Sequence, residues 1–426
     1  MTDIKHTSNW AARLAAIAIA ATCASPTLAK DIKLQWQSTA LGEAQYEPIW
    51  RTVVADFEAL NPDIKIEPIL VPRKDNWTKF VTAAQAGIAP CIVSVPVPTA
   101  AYNGYLMPMD DMWAAEPVSY KSVWSPESLG VGRFEGSLYG MPFYAGIYGE
   151  VYNGALAREV GLDPERPPQN WQEYLTWAKA LNTPDHKATA ILAGPTETTT
   201  RVLLSWIYSN GGTPFNEDMT KSHFSTDAKT VEAIKFYLGL ETEYGLTAPG
   251  SAALNYAEQT VLFAQGKIAT MRNAYWGLAK VLGDSPDLAD DIVVAAPPSN
   301  SPDARTVATV TTNSISANCE HPQEAWNFLT FLNKPEYAVQ MVAAANWMPL
   351  RNDLLDLPVV ANDPVVQTYL AMGANAVTIP LATPAWSQIA GKDIVEAVQK
   401  MLQQPDRIDE VLAELDETVT EHLNDN

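Results

Sequence analysis

At positions 272–277 the chain reads Arg-Asn-Ala-Tyr-Trp-Gly, a guanidinium and an amide beside two aromatic rings. That combination suits a carbohydrate. A sugar ring has apolar C–H faces, which Trp and Tyr cover, and an equator of hydroxyls, which amides, carboxylates and Arg serve. Thirteen Trp in 426 residues is a generous supply. Several stand at loop positions, and Trp276 is the main stacking candidate. Trp50, Trp171, Trp177 and Trp326 instead fall on helical stripes at core spacing, so packing explains them.

Catalysis lacks its usual signatures: there is no Gly-x-Ser-x-Gly elbow, P-loop, His-Glu-x-x-His or dinucleotide Gly-x-Gly-x-x-Gly. The five His residues (His6, His186, His223, His321 and His422) are scattered without ligand spacing, which argues against a metal site. No catalytic residue and no cofactor is implied. A glycosidase needs only two facing carboxylates. Glu43, Asp75 and Asp110 are available for that, although solvated or hydrogen-bonding roles are commoner for such side chains.

Residues 1–29 read as a cleaved export signal. Lys5 and Arg13 supply its positive region, 14–21 its apolar stretch, and Thr-Leu-Ala at 27–29 the cleavage site. The mature chain then starts at Lys30 or Asp31. The apolar run falls short of the roughly 20 residues that span a bilayer, and the residues ahead of Cys23 are a poor lipidation context. With 49 acidic against 28 basic residues, a formal net charge of −21, the chain repels nucleic acid and anionic lipid. Its length calls for two or three domains.

Those side chains need a scaffold, and the pattern is an α/β alternation. Strand 33–37 is followed by helix 46–60, with Trp50, Val53, Val54 and Phe57 at helical spacing, which Asn61 and Pro62 stop. Strand 64–70, helix 77–86 ended by Gly87, and a short buried strand at 91–95 come next. Such a series builds a parallel sheet through right-handed crossovers. Downstream, Asn170 and Glu173 form a capping box for helix 171–181. Helices are expected at 201–209, at 231–244 (capped by Ser225 or Thr226) and at 258–264, with a strand at 268–271. A turn-rich excursion at 296–305 precedes strand 307–316 and helix 322–332.

One long run, Leu-Tyr-Gly-Met-Pro-Phe-Tyr at 138–144 through Gly-Glu-Val-Tyr-Asn at 149–153 to Gly-Leu-Asp at 161–163 and Pro-Pro-Gln-Asn-Trp-Gln-Glu at 167–173, resembles the family 1 extracellular solute-binding proteins of ABC sugar importers. Ala-Asp-Phe-Glu-Ala-Leu-Asn-Pro-Asp at 55–63, Gly-Gly at 211–212, Phe-Ala-Gln-Gly-Lys-Ile-Ala-Thr-Met at 263–271, Ile-Ser-Ala-Asn at 315–318, residues 321–329 and Met-Pro-Leu-Arg at 348–351 extend the resemblance in the same order. It implies a two-lobed, hinge-linked α/β fold of the type II periplasmic-binding kind, each lobe with a central, mostly parallel sheet. Its lobes are discontinuous: 30–140 with about 305–345, and 141–304 with about 346–426. The implied protein is a periplasmic monomer that hands a carbohydrate to ABC permease subunits. A ligand sensor for a membrane receptor is the alternative, and a carbohydrate-active enzyme a more distant one. The chain departs from the family at Cys91-Ile-Val, where many members carry Asp. It also has no base at 381–383, where the glycerol-phosphate-binding branch tends to place one, which favours a neutral sugar or polyol. The family topology puts Cys91 and Cys319 in one lobe, so a bridge is sterically conceivable, with two buried free thiols the default.

Ligands of open parallel sheets sit beyond the carboxyl ends of the strands, so two facing lobes share one cleft. The candidates for it are Trp36, Ser38, Glu43 and Trp77 from the first lobe and Tyr144 from the crossing segment. Gly211, Gly212, Arg272, Asn273 and Trp276 come from the second lobe, and Thr312, Trp347, Arg351 and Trp386 from the returning segments. Arg272 reads equally as an interlobe ion pair, and Gly211-Gly212 reads first as a tight turn.

Overall fold

A computed structural model describes residues 32–425, so the export signal expected at 1–29 lies outside the described residues. The strands are β1 (Ile32–Ser38), β2 (Ile64–Leu70), β3 (Ile92–Val93), β4 (Arg133–Phe134), β5 (Ser137–Leu138), β6 (Gly140–Asn153), β7 (Thr270–Ala274), β8 (Ile292–Ala295), β9 (Val307–Ile315) and β10 (Val377–Ile379). In β1, Leu34 and Trp36 are buried while Lys33 and Gln35 face solvent, the period-two pattern of a strand. Parallel pairing joins β1 to both β2 and β3, as the strand–helix alternation requires.

The helix Glu47–Leu60 buries Ile49, Trp50, Val53 and Phe57 along one face. Its partner is the helix Pro322–Leu332, whose Phe328 meets Phe57 edge-on at 5.1 Å. Asn61 ends it, the Asn61 Nδ2 donating to the Phe57 carbonyl at 2.8 Å.

Antiparallel pairing takes over in the middle of the sheet. β9 lies beside β3 and β6 beside β9, and β7 and β8 both pair with β6. All fourteen residues of β6 are buried. Its first half, 140–147, pairs with β9, and its second half, 148–153, pairs with β7 and β8. β9 does the reverse, meeting β10 near its start and β3 at its end. These two strands therefore run through both halves of the molecule. The register slips between Pro142 and Tyr144, where Pro has no N–H to give the ladder.

Two large apolar cores flank this crossing. One gathers Trp36, Trp50, Phe57, Trp326 and Phe328. The other gathers Trp171, Tyr174, Trp206 and Tyr237 with Leu412 and Leu415 of the last helix, Ile408–Asn424. Trp50, Trp171, Trp177 and Trp326 are all buried, as their helical spacing implies.

Local differences from the sequence expectations have visible causes. The helix expected at 201–209 begins at Glu197, because the polar run Thr198, Thr199 and Thr200 is buried within it. The helix Ala228–Thr242 is capped by Asp227, which accepts from the Thr230 N–H, while Ser225 is engaged with Asp416. Asn170 caps the helix Trp171–Ala180, but Glu173 reaches one residue further back than a capping box requires, to the Gln169 N–H at 2.8 Å.

The two expected free thiols are instead a disulfide, Cys91–Cys319, with Cα atoms 4.7 Å apart. The cause is tertiary. Pairing of β3 with the end of β9 sets Ile92 opposite Ile315, and the Ser316 N–H donates to the Cys91 carbonyl at 2.9 Å. The bridge closes a loop between cysteines 228 positions apart. Replacing both, Cys91→Ser with Cys319→Ser, is expected to lower the unfolding free energy by about 2–4 kcal/mol in urea titrations. A loss within experimental error would mean the bridge does not restrain the unfolded chain.

Candidate ligand cleft

A cavity of about 330 Å³ opens between the two halves. One wall is made by the segments that follow β1, β2 and β3: Thr39, then Arg73, Asn76 and Trp77, then Ser94 to Val97. These are the carboxyl ends of parallel strands, where a sheet leaves its backbone free to meet a ligand. The floor is Val310, Thr311 and Thr312 in the middle of β9. Opposite stand Thr196, Glu197, Thr198 and Arg201 at the start of the helix Glu197–Ser209, with Pro380, Ser387, Gly391 and Lys392. An adjoining recess shares Arg73, Arg201 and Thr311, and adds Glu43, Tyr144, Tyr256, Trp276 and Trp347.

Hydrogen bonds behind the first wall hold its loops in place. Asn313 Oδ1 accepts from Trp36 Nε1 at 3.3 Å and from Ser94 Oγ at 2.7 Å. Gln37 Nε2 donates to Asn76 Oδ1 at 3.0 Å, and Asn76 Nδ2 donates to the Ser94 carbonyl at 2.9 Å. On the far wall, Trp386 Nε1 donates to Glu197 Oε1 at 3.2 Å and Arg201 Nη2 to Glu197 Oε2 at 3.1 Å. Trp386 thus orients Glu197, and Glu197 orients Arg201. Burial alone would lower the Arg201 pKa, but the adjacent Glu197 carboxylate, with Tyr148 and Tyr144, more than offsets it and the net shift is upward. Arg201 stays a cation. At the mouth, Ser387 Oγ donates to Thr99 Oγ1 at 3.2 Å, a bond that spans the two walls.

Aromatic rings line the recess. Tyr144 stacks on Trp347 with ring centroids 3.8 Å apart and 14° between planes. Trp276 meets Tyr144 and Tyr148 edge-on at 6.3 and 6.2 Å. A Cβ on Gly146 would fall 1.6 Å from Trp276 Cζ3, so the ring needs glycine beneath it. Trp276 and Trp77 are both only half-buried, leaving ring surface toward the opening. Burial raises the hydroxyl pKa of Tyr144 and of Tyr148, so both remain neutral hydrogen-bond donors.

Of the sequence candidates, the structure brings Glu43, Trp77, Tyr144, Trp276, Thr312 and Trp347 to this cleft. The others stand elsewhere. Trp36 is a core residue behind the wall, and Ser38 caps the turn Thr39–Gly42 by accepting from the Ala40 N–H. Trp386 is fully buried beneath Glu197. Gly211 has φ +72°, and Gly212 sits 2.7 Å (measured from an added Cβ) from Thr230 Oγ1, so the pair makes the tight turn. Asn273 bonds Gln259, and Arg351 is fixed by Asp353 and the Asn333 carbonyl. Arg272 pairs with Glu150 at 2.8 Å within the second core and lies 3.4 Å from the centre of the Trp206 ring. Neither alternative offered for it, ligand contact or interlobe pair, matches that position.

Sequence reasoning passed over Thr196, Glu197, Thr198, Arg201, Tyr256, Ser387 and Lys392. The signal for four of them was present. Thr-Glu-Thr-Thr-Thr-Arg at 196–201 places a cap-type hydroxyl before a helix and a Glu four residues ahead of an Arg. Among the described residues, no group of three or more His, Cys, Asp or Glu is placed to hold a metal ion. No helix among them is long and apolar enough to cross a membrane.

Two halves joined by crossing strands, with one polar and aromatic-lined cavity between them, define a ligand-capturing binding protein. The chain belongs to the bacterial extracellular solute-binding protein family, whose model matches residues 43–339, and its role is to bind a substrate for transport. It is similar to the maltotriose-binding protein of Pyrococcus abyssi, 22% identical over 384 residues that cover 88% of this chain and 78% of that one. A shorter stretch of 132 residues is 30% identical to the sn-glycerol-3-phosphate-binding periplasmic protein UgpB of Escherichia coli K12, covering 29% of this chain and 30% of the relative. The fold is shared with a solute-binding protein from Thermotoga lettingae solved with α-D-tagatose, at a TM-score of 0.83 and 24% identity over 92% of this chain and 99% of that one.

Removing the buried cation separates its role from that of the cleft. Arg272→Met is expected to lower stability by about 3–5 kcal/mol, because it leaves Glu150 buried without its counter-charge. Ligand affinity of the folded fraction should not change. Urea unfolding and titration of the same sample check both halves, and a weakened affinity at full stability would return Arg272 to the binding site.

Proposed function

We propose that this chain is the exported substrate-capturing component of an ABC importer and that its solute is a carbohydrate. The carrying observation is the cavity itself, where the half-buried Trp77 stands among the hydroxyls of Thr39, Thr196, Thr198, Thr311 and Thr312. Rings cover sugar C–H faces and hydroxyls meet the equator. A volume of about 330 Å³ sits at the lower end of the roughly 300–1,000 Å³ usual for ligand pockets. It favours a short saccharide. Two similar proteins, one a maltotriose-binding protein and one solved with tagatose, support the same class.

The proposed cycle is hinge closure. Lobes 30–140 with about 305–345, and 141–304 with about 346–426, swing about residues 141–146 and their β9 partners. Sugar stabilises the closed form only through its greater affinity for closed over open. Permease subunits in the membrane then recognise the closed monomer. Residues 1–29 act as the cleaved signal that delivers the chain to the periplasm, and the protein performs no chemistry on its cargo.

A thermal-shift and Trp-fluorescence screen against mono-, di- and oligosaccharides, polyols and sugar acids tests the solute class. A saturable shift with the sugar recovered unchanged is expected; silence across the panel would sink the carbohydrate assignment. Small-angle scattering should show a smaller radius of gyration at saturating sugar, and an unchanged profile would count against closure. Trp276→Ala is expected to weaken binding by about 1–3 kcal/mol through loss of a stacking face. Unaltered affinity in that variant would remove Trp276 from the contact set.

A further inference from the structure

We infer that the ligand is an acidic saccharide, one whose polyhydroxylated body carries a carboxylate or a phosphate monoester. The inference rests on the carbohydrate reading of the cleft and narrows it.

Charge is the first observation. The chain as a whole is strongly acidic, at −21, yet the cavity wall presents Arg73, Arg201 and Lys392 against the single carboxylate of Glu197. Glu43 enters only in the recess, 3.7 Å from Arg73. Arg201 is paired with Glu197, and Lys392 is in no ion pair among the described residues. The nearest acid in sequence, Asp393, is engaged elsewhere: it accepts from Gln388 Nε2 at 2.8 Å and pairs with His422 Nδ1 at 2.7 Å.

Unfilled donors are the second. Arg201 Nε is buried without a hydrogen-bond partner, as is Thr196 Oγ1. Both residues line the cavity, as does Thr198, which is 8% exposed. Thr196 is the N-cap of a thirteen-residue helix and makes no side-chain cap bond. The positive end of that helix and the free Arg201 donor therefore meet at one wall.

Backbone geometry is the third. The turn Ile389–Asp393 is a π-helix, and its widened coil delivers Gly391 and Lys392 to the cavity. Such bulges concentrate at functional sites. The sequence expectation of a neutral ligand rested on the missing base at 381–383. In the fold the bases come from other segments, so that argument no longer applies. An anionic group set between Lys392, Arg201 and the helix start gains charge-assisted hydrogen bonds, and the concave wall concentrates the field.

Calorimetric titration of the purified protein with matched pairs tests this: glucuronate against glucose, galacturonate against galactose, and glucose 6-phosphate against glucose. At least one acid is expected to bind about tenfold or more tighter than its neutral partner, in line with hydrogen bonds to charged groups. The uronate and phosphate arms separate the two sources of charge. Lys392→Met should shrink the preference for the acid over its neutral partner, and high salt should shrink it too. Neutral sugars binding as tightly as their acids would overturn the inference and leave the carbohydrate reading intact. Inorganic phosphate binding as well as any sugar acid would overturn it in favour of a bare anion site. Failure of every sugar, neutral or acidic, would sink both.

Discussion

The antiparallel pair of β6 and β9 is the constraint on which the molecule depends. Each strand starts in one half and ends in the other, so a single ladder supplies edges for β3 and β10 on one strand and for β7 and β8 on the other. The cavity floor, Val310 to Thr312, is the middle of that ladder. Full burial of β6 follows, because an unpaired backbone at this point would leave polar groups without partners in both cores. The same continuity is what the proposed closure would use, since two strands can bend where many packed helices cannot.

Around this axis the chain uses Arg–Glu pairs in two ways. Arg272 and Glu150 are directly opposite partners of β7 and β6, and both are almost completely shielded from water. Burial raises the Glu150 pKa and Arg272 counteracts it, so the pair costs desolvation and is held by geometry rather than by excess attraction. Arg201 and Glu197 are one helical turn apart at the cavity wall and remain partly exposed. There the carboxylate orients the guanidinium and leaves one donor free. One pair knits a core, and the other presents a charge.

Aromatic residues divide in a similar way. Trp36 and Trp386 are fully buried, and each spends its indole N–H on a polar residue, Asn313 or Glu197, that shapes a cleft wall. Trp77 and Trp276 keep part of a face open. Identical side chains thus serve as scaffold or as contact surface according to depth, and depth is set by elements far away in the chain.

Periodicity and caps made the local elements legible: Ile64–Leu70 and Pro322–Leu332 fall where alternation and helical spacing put them. The motif order made the family and its two-lobed fold legible as well, and six of the fourteen site candidates reach the cleft. Those six lie on segments whose place follows from strand ends and the crossing run. Arg272 and Trp386 carry the right chemistry but are claimed by partners that only folding supplies, and Arg351 is claimed by its close neighbour Asp353 and the Asn333 carbonyl. The Cys91–Cys319 bridge, the cation set of Arg73, Arg201 and Lys392, and the unfilled Arg201 donor were likewise decided in three dimensions. The physical reason is range. Hydrophobic period and capping act within a few residues and can be read from neighbours, whereas the disulfide, the Arg272–Glu150 pair and the Trp386–Glu197 bond join positions more than a hundred residues apart.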